Sequence, residues 1–401
     1  MPTRMPPHPR CSKQILRRVQ QNDSTLTRLG IGDGYGYEST DQYDYSRLGA
    51  AIAKNTHIRH LYMARVALEI TDNRFFVGLE HNSSICKLDL LCNNYCLAGW
   101  RYSETLMACQ ANNNLTSLKI GDAALQHGGD RLINSTLRAC TNLESITLNN
   151  CAITDELFVP MVEAMRGIRS LEELDLNHNI IGDVGSQALV TLLRDPSTGL
   201  HSLYLQNNFI DVEGAYLIAN SLAGNNKLLV LFLVGNVFEE MDASVHTAFS
   251  EALCNTSSIN SIMFFSNHTL ENLGLTERGR YDPLDFPNVD EGLMYRLDDF
   301  LLWNRATSNK RHIAMKKVAT FHPIIDMEPL YDWDINGEWT LKSLPYVIDW
   351  FDSSLAACDH DCDEHDELPD RKLSAVYEFA KAMPLLFVPA SHKVGDKKRK
   401  R

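Results

Sequence analysis

The sequence predicts an α/β solenoid: short parallel strands, each followed by a helix, with a small helical region after them. Three observations predict it. A template, L-x-x-L-x-L-x-x-N/C, recurs in about nine copies along residues 12–275. The copies start at Leu26, Ile58, Ile85, Leu115, Leu143, Leu171, Leu200, Leu228 and Ile259, in steps of 27 to 32 residues. After each template the apolar spacing changes from period two to the three-and-four spacing of a helix. A unit this short cannot bury its apolar face alone, so the units must stack.

The elements follow in order. Residues 1–11 (MPTRMPPHPRC) carry prolines and arginines and are expected to be disordered. Ser12 to Gln21 reads as an amphipathic entry helix, with Ile15, Leu16 and Val19 on its apolar face. Residues 32–47 form a loop rich in Gly, Tyr and Asp. The clearest templates are Leu171-Leu174-Leu176-Asn179, Leu200-Leu203-Leu205-Asn208 and Leu228-Leu231-Leu233-Asn236. In each, the L-x-L core is a strand with alternate side chains inward. The Asn is expected at a buried bend, where its amide satisfies backbone groups of the neighbouring turn. Cys151 stands there in the copy beginning at Leu143, as a weaker substitute. Thr154, Asp183 and Asp211 sit where helix N-caps belong. The last copy is read as Ile259-Ile262-Phe264-Asn267.

A strand plus a full helix at this period resembles the ribonuclease-inhibitor-like class of leucine-rich repeats. The resemblance implies a horseshoe, with a parallel sheet on the concave side and helices on the convex side. The segments SNHTLENL, LLWNRA and WTLKSLPYVIDWF also resemble uncharacterised repeat families of unicellular algae of the diatom type, which supply no activity.

Beyond the array the template stops. Residues 276–292 read as a linker and residues 293–388 as a helical C-terminal region, ending in a basic tail, 389–401. Three helices are expected there, around Leu293–Leu302, Leu341–Phe351 and Leu373–Ala380.

Net charge is −13, from 38 basic and 51 acidic side chains, which argues against general nucleic-acid binding. No apolar run approaches the ~18 residues that span a bilayer, so no membrane partner is expected. The N-terminus has no apolar stretch of the kind a secretory signal needs. The ten cysteines are read as reduced thiols, and residence as cytoplasmic and/or nuclear. Lys397, Lys398, Arg399, Lys400 and Arg401 form a nuclear-import candidate, with a solvated tail as the plain alternative.

Motifs for chemistry are sparse. The chain has no Gly-Lys pair, no H-E-x-x-H and no G-x-S-x-G. Asp332 to Gly337 matches the first half of a calcium loop, but Ser343 stands where a bidentate Glu belongs, so an Asn-Gly turn is preferred. Cys358, His360, Cys362 and His365 crowd four soft ligands into eight residues, too few to wrap a tetrahedral ion with ease. No metal, no cofactor and no catalytic residue are therefore expected.

Residues between the template leucines should point out of the concave sheet. They grade from basic (Arg59, Lys87 and Lys119, with Tyr62 and Asp89 among them) through acidic (Glu144, Glu172, Glu173 and Asp175) to apolar (Tyr204, Phe232). Met263 and Phe265 are expected to extend the apolar end. Like charges side by side are more useful facing a cationic partner than facing nothing, with a solvated strip as the plain alternative. The expectation is a non-enzymatic scaffold that binds a protein of unknown identity on the concave face. The alternative is a GTPase activator resembling the Ran-activating branch of the same repeat class.

Overall fold

The computed structural model describes residues 13–32, 45–64, 73–96, 105–108, 114–125, 129–238, 243–257, 261–275, 291–306, 310, 313–314 and 317. The nuclear-import candidate, the calcium-like turn, the Cys/His cluster and the second and third C-terminal helices lie outside these residues. The chain divides into two units: residues 1–249 with 269–295, and residues 250–268 with 296–401.

In the first unit, among the described residues, nine strands form one sheet in chain order, every pair parallel. They are β1 (Arg28–Gly32), β2 (His60–Ala64), β3 (Lys87–Cys96), β4 (Ser117–Ala124), β5 (Ser145–Asn149), β6 (Glu173–Asp175), β7 (Ser202–Tyr204), β8 (Val230–Phe232) and β9 (Asn272–Gly274). Parallel neighbours need a crossover. Here helices provide it: α2 (Tyr45–Lys54), α3 (Arg74–Glu80), α4 (Gly129–Ala139), α5 (Asp155–Met165), α6 (Asp183–Leu193), α7 (Val212–Ser221) and α8 (Ala243–Leu253), preceded by α1 (Lys13–Gln20). The fold is thus an α/β leucine-rich-repeat solenoid. Helix α8 runs on from the first unit into the second.

The template leucines make the core. Leu61, Leu88, Leu118, Ile146, Leu174, Leu203 and Leu231 fall in register across the sheet, each fully buried. A second such row holds Ile31, Met63, Leu90, Ile120 and Leu148. Each buried Leu or Ile contributes ~2 kcal/mol of transfer free energy.

At the bends after β6, β7 and β8, asparagine closes the turn. Asn179 donates through Nδ2 to the carbonyls of Leu148 (2.8 Å) and Leu176 (2.9 Å). Its Oδ1 accepts from the amides of Cys151 (3.0 Å) and Ile153 (3.1 Å) in the preceding turn. Asn208 and Asn236 repeat the pattern one and two turns on. Cys151 substitutes with two long sulfur contacts of 3.4 Å to Ile120 and Asn149 carbonyls. The residue just before each Asn takes left-handed φ: Asn150, His178 and Asn207, then Gly235. At the opposite corner a second asparagine set precedes the templates. Asn82 donates to the Ile52 and Asn55 carbonyls and accepts from the Ser84 and Ile85 amides. Asn225 does the same between Leu193 and Leu228.

Four expectations change. The segment Ile259–Asn267 does not supply the ninth strand: Ser261–Phe265 is a π-helix, and the strand is Asn272–Gly274, built on Leu270-Leu273-Leu275. Met263 and Phe265 therefore leave the sheet. Asp183 is not an N-cap; Gly182 holds that position, whereas Asp211 does cap α7 by accepting from the Gly214 amide at 2.9 Å. Thr154 occupies the cap of α5 without making the side-chain bond. Tyr45, placed in the loop by sequence, begins α2 and packs edge-on to Phe75 at 5.9 Å.

Small residues early in α6 and α7 are required by contact. A Cβ on Gly185 would lie 2.5 Å from Asp155 Oδ1, and one on Gly214 would lie 2.9 Å from Ser186 Oγ.

In the second unit, helix α9 (Glu291–Ala306), shared with the first unit, contributes buried Leu297, Phe300 and Leu301. Lys317 is wholly buried; its ammonium donates to the Leu253 (2.6 Å) and Asn267 (3.0 Å) carbonyls and lies 5.4 Å from the Phe300 ring centre. The Leu253 carbonyl ends α8, the negative pole of that helix. Burial lowers the Lys317 pKa to about 7. Burial, with Lys317 beside it, lowers that of His268 to about 3.

Candidate functional site

The outward face of the sheet is the surface that the repeat does not consume. Strand alternation sends every second residue there. Register aligns these residues into two rows. One reads His60, Lys87, Ser117, Ser145, Glu173, Ser202, Val230. The other reads Tyr62, Asp89, Lys119, Thr147, Asp175, Tyr204, Phe232, Gly274.

Eight of the eleven residues proposed from sequence fall in these rows: Tyr62, Lys87, Asp89, Lys119, Glu173, Asp175, Tyr204 and Phe232. Arg59, Glu144 and Glu172 stand one residue ahead of β2, β5 and β6. There the backbone already bridges turns: the Glu172 amide donates to the Glu144 carbonyl, and the His201 amide donates to that of Glu172. These three side chains line the entry edge of the sheet and are exposed.

The electrostatics differ along the face. On β3, Asp89 Oδ2 lies 2.9 Å from His60 Nε2 of β2. On β6, Glu173 and Asp175 have no cation partner among the described residues; nor have Glu144 and Glu172. Their row neighbours are Ser145, Thr147 and Ser202, and the nearest cation in either row is Lys119, two strands away. Asp175 Oδ1 accepts from the Asn177 amide at 3.0 Å, which fixes the carboxylate.

Next to this acidic strip stand two aromatic rings. Tyr204 and Phe232 stack with centroids 5.7 Å apart and planes 25° apart. Phe232 lies flat over Gly274, where a Cβ would collide with the ring. Both rings remain partly exposed. Sequence reading missed Gly274, although the Leu270-Leu273-Leu275 template was available to find it. Beyond the strand ends, the residues after Asn179, Asn208 and Asn236 are exposed and apolar in three successive turns: Ile180, Phe209 and Val237.

Among the described residues no three His, Cys, Asp or Glu are placed to hold a metal, and no helix is long and apolar enough to cross a membrane. The thiols of Cys140 and Cys151 are pushed up by burial to about 11 and about 12, so they stay protonated and unreactive near neutral pH.

No family model matches the chain. Among individual proteins, mouse ribonuclease inhibitor is 30% identical over 179 residues, covering 42% of this chain and 39% of that protein. Mouse NACHT, LRR and PYD domains-containing protein 14 is 28% identical over 230 residues, 57% of this chain and 23% of that protein. The matched stretches thus span well under half the length of these relatives. Among solved structures, the leucine-rich repeat-containing protein LegL7 of Legionella pneumophila aligns over 69% of this chain and 82% of its own, at 16% identity and a TM-score of 0.39. The tropomodulin C-terminal domain of Caenorhabditis elegans aligns over 44% of this chain and 93% of its own, at 16% identity and a TM-score of 0.34. The strands, the asparagine turns and the sequence relatives agree: the chain carries leucine-rich repeats similar to those of ribonuclease inhibitor.

Proposed function

We propose that this chain is a non-enzymatic scaffold that holds a partner protein on the outward, concave face of its sheet. One observation carries the reading: carboxylates without a cation partner among the described residues and a partly exposed aromatic stack stand side by side on a surface that the backbone ladder fixes in advance. Such preorganised rows bind without first being ordered, and that ordering is a main cost of association. The similar mouse protein is, by name, an inhibitor of ribonuclease. Residence in the cytoplasm or nucleus goes with this reading, with Lys397–Arg401 as the import signal.

The test uses the full chain with a photocrosslinking side chain at Thr147 on β5 or, as control, at the exposed Thr191 on α6. Protein adducts from position 147 and none from 191 are expected. Adducts from 191 alone, or from neither, would remove the concave-face reading.

A further inference from the structure

The acidic strip and the aromatic stack define the chemistry of what they hold. Glu173 and Asp175 lie two residues apart on β6, so their side chains share a face at a spacing of ~6.6 Å. Tyr204 is in register with Asp175 on the next strand, and Phe232 on the one after. Adjacent strands are ~4.8 Å apart, so a side chain bridging the two carboxylates also lies beside the Tyr204 ring.

An anionic or neutral partner would have to bury Glu172, Glu173 and Asp175 unpaired, at a cost of several kcal/mol. A cation removes that cost. Of the two basic side chains, guanidinium fits better. Its planar fork can bond two acceptors at once, and it stacks on an aromatic face; an ammonium is a compact point charge with neither property.

We propose, building on the scaffold reading, that the partner lays an extended, arginine-bearing segment across β6 to β8. The guanidinium is held by Glu173 and Asp175 against Tyr204. An apolar side chain about three residues along the segment rests on Phe232, because β6 to β8 spans ~10 Å and an extended chain rises ~3.3 Å per residue. Gly274 makes room for the Phe232 ring, since a Cβ there would collide with it.

Amide NMR of the full chain, titrated with acetyl-Gly-Arg-Gly-Gly-Leu-Gly-amide, tests this. Two further probes replace Arg by Lys or by Glu. The Arg probe should shift the amides of Glu173, Asp175, Tyr204 and Phe232. The Lys probe should bind more weakly, and the Glu probe not at all. Glu173→Gln with Asp175→Asn should weaken the Arg probe about tenfold, because both paired charges are lost. The Asn retains the acceptor for Asn177, so the turn stays intact. Glu156→Gln with Glu213→Gln, on the exposed faces of α5 and α7, should change nothing. Equal response to the Arg and Glu probes, shifts confined to other surfaces, or equal loss from the helix pair would overturn the proposal; the last would reduce it to net charge. Should position 147 crosslink a protein whose capture the Glu173/Asp175 pair does not affect, the scaffold stands and the arginine segment falls. If position 147 yields no adduct, the scaffold reading falls and the partner's arginine segment, which rests on it, falls with it.

Discussion

Replacing Asn179 by Ala tests what holds successive turns together. Asn179 is 3% exposed and bonds four buried backbone groups at 2.8–3.1 Å. Two of those groups belong to its own bend or the strand beneath, and two to the next bend back. Alanine leaves all four without that partner. At ~1 kcal/mol of net stabilisation per hydrogen bond, the loss is about 4 kcal/mol. That is a large fraction of the ~5–15 kcal/mol that separates folded from unfolded domains. Nearest-neighbour stacking should keep the damage local.

Urea denaturation of the full chain should therefore show a lower midpoint, and hydrogen exchange should speed up first at the Cys151 and Ile153 amides. Asn179→Cys provides the internal control, because Cys151 already stands in the equivalent place with two weak sulfur contacts. The cysteine variant should lose about half as much as the alanine, ~2 kcal/mol. A loss below ~1 kcal/mol for Asn179→Ala, with exchange at Cys151 and Ile153 unchanged, would show that the asparagine seam is dispensable.

Two pH-linked predictions follow from charges in the fold. Burial, a hydrogen bond to Asp211 and the carboxylates of Asp211 and Asp155 together raise the pKa of Asp183, whereas the Gly214 amide, first among its causes, lowers that of Asp211. A carboxyl whose folded pKa is raised costs stability while ionised and regains it as pH falls through that pKa. Asp183→Asn should therefore stabilise the fold at pH 7 by about 0.5 kcal/mol after solvent screening, read as a higher urea midpoint, with the gain fading as pH falls toward the ordinary carboxylate value and gone below about pH 4. Persistence of the full gain at pH 3 would contradict the assignment. Lys317 is the inverse case: its folded pKa of about 7 lies below the ordinary lysine value of 10.5. The unfolded chain then binds the extra proton between those values, so stability should rise with pH by at most about 1.4 kcal/mol per unit across that window. His268 stays neutral throughout it. Lys317→Met should flatten the rise, read as urea midpoints at pH 7, 8.5 and 10; an unchanged slope would place the linkage elsewhere.

Most of the array was legible because burial constrains the same positions in every turn. Leu174, Leu203 and Leu231 face the same environment one strand apart, and only a residue of that shape fills it. The ninth turn was misread for a physical reason. Ser-Ile-Met-Phe-Phe is apolar enough for a strand or a helix, and a short apolar run carries no period to decide between them. Asn267 completed the apparent match, yet by spacing it belongs to the corner set: it precedes Leu270 by three residues, as Asn225 precedes Leu228 and Asn82 precedes Ile85. The corner set itself could have been found, since N-x-x-[LI] recurs before several templates. The cap at Asp183 failed because acidic residues favour both the N-cap and the first turn, and sequence alone does not separate neighbouring positions.

The outward rows obey a different logic, which explains why the face could be enumerated but not interpreted. Listing its residues needs only alternation along one strand. Knowing whether a carboxylate is paired needs the register of strands some 28 residues apart in sequence. Asp89 and Asp175 occupy the same row and read alike in the sequence, yet Asp89 meets His60 across one strand gap, and Asp175 meets Thr147 and Tyr204. The core gives no reason for that difference, because both strands bury the same leucines with either neighbour set. A charge left open where the fold would accept a neutral residue is a cost that stability does not require, and such a cost is removed when a partner supplies the missing cation.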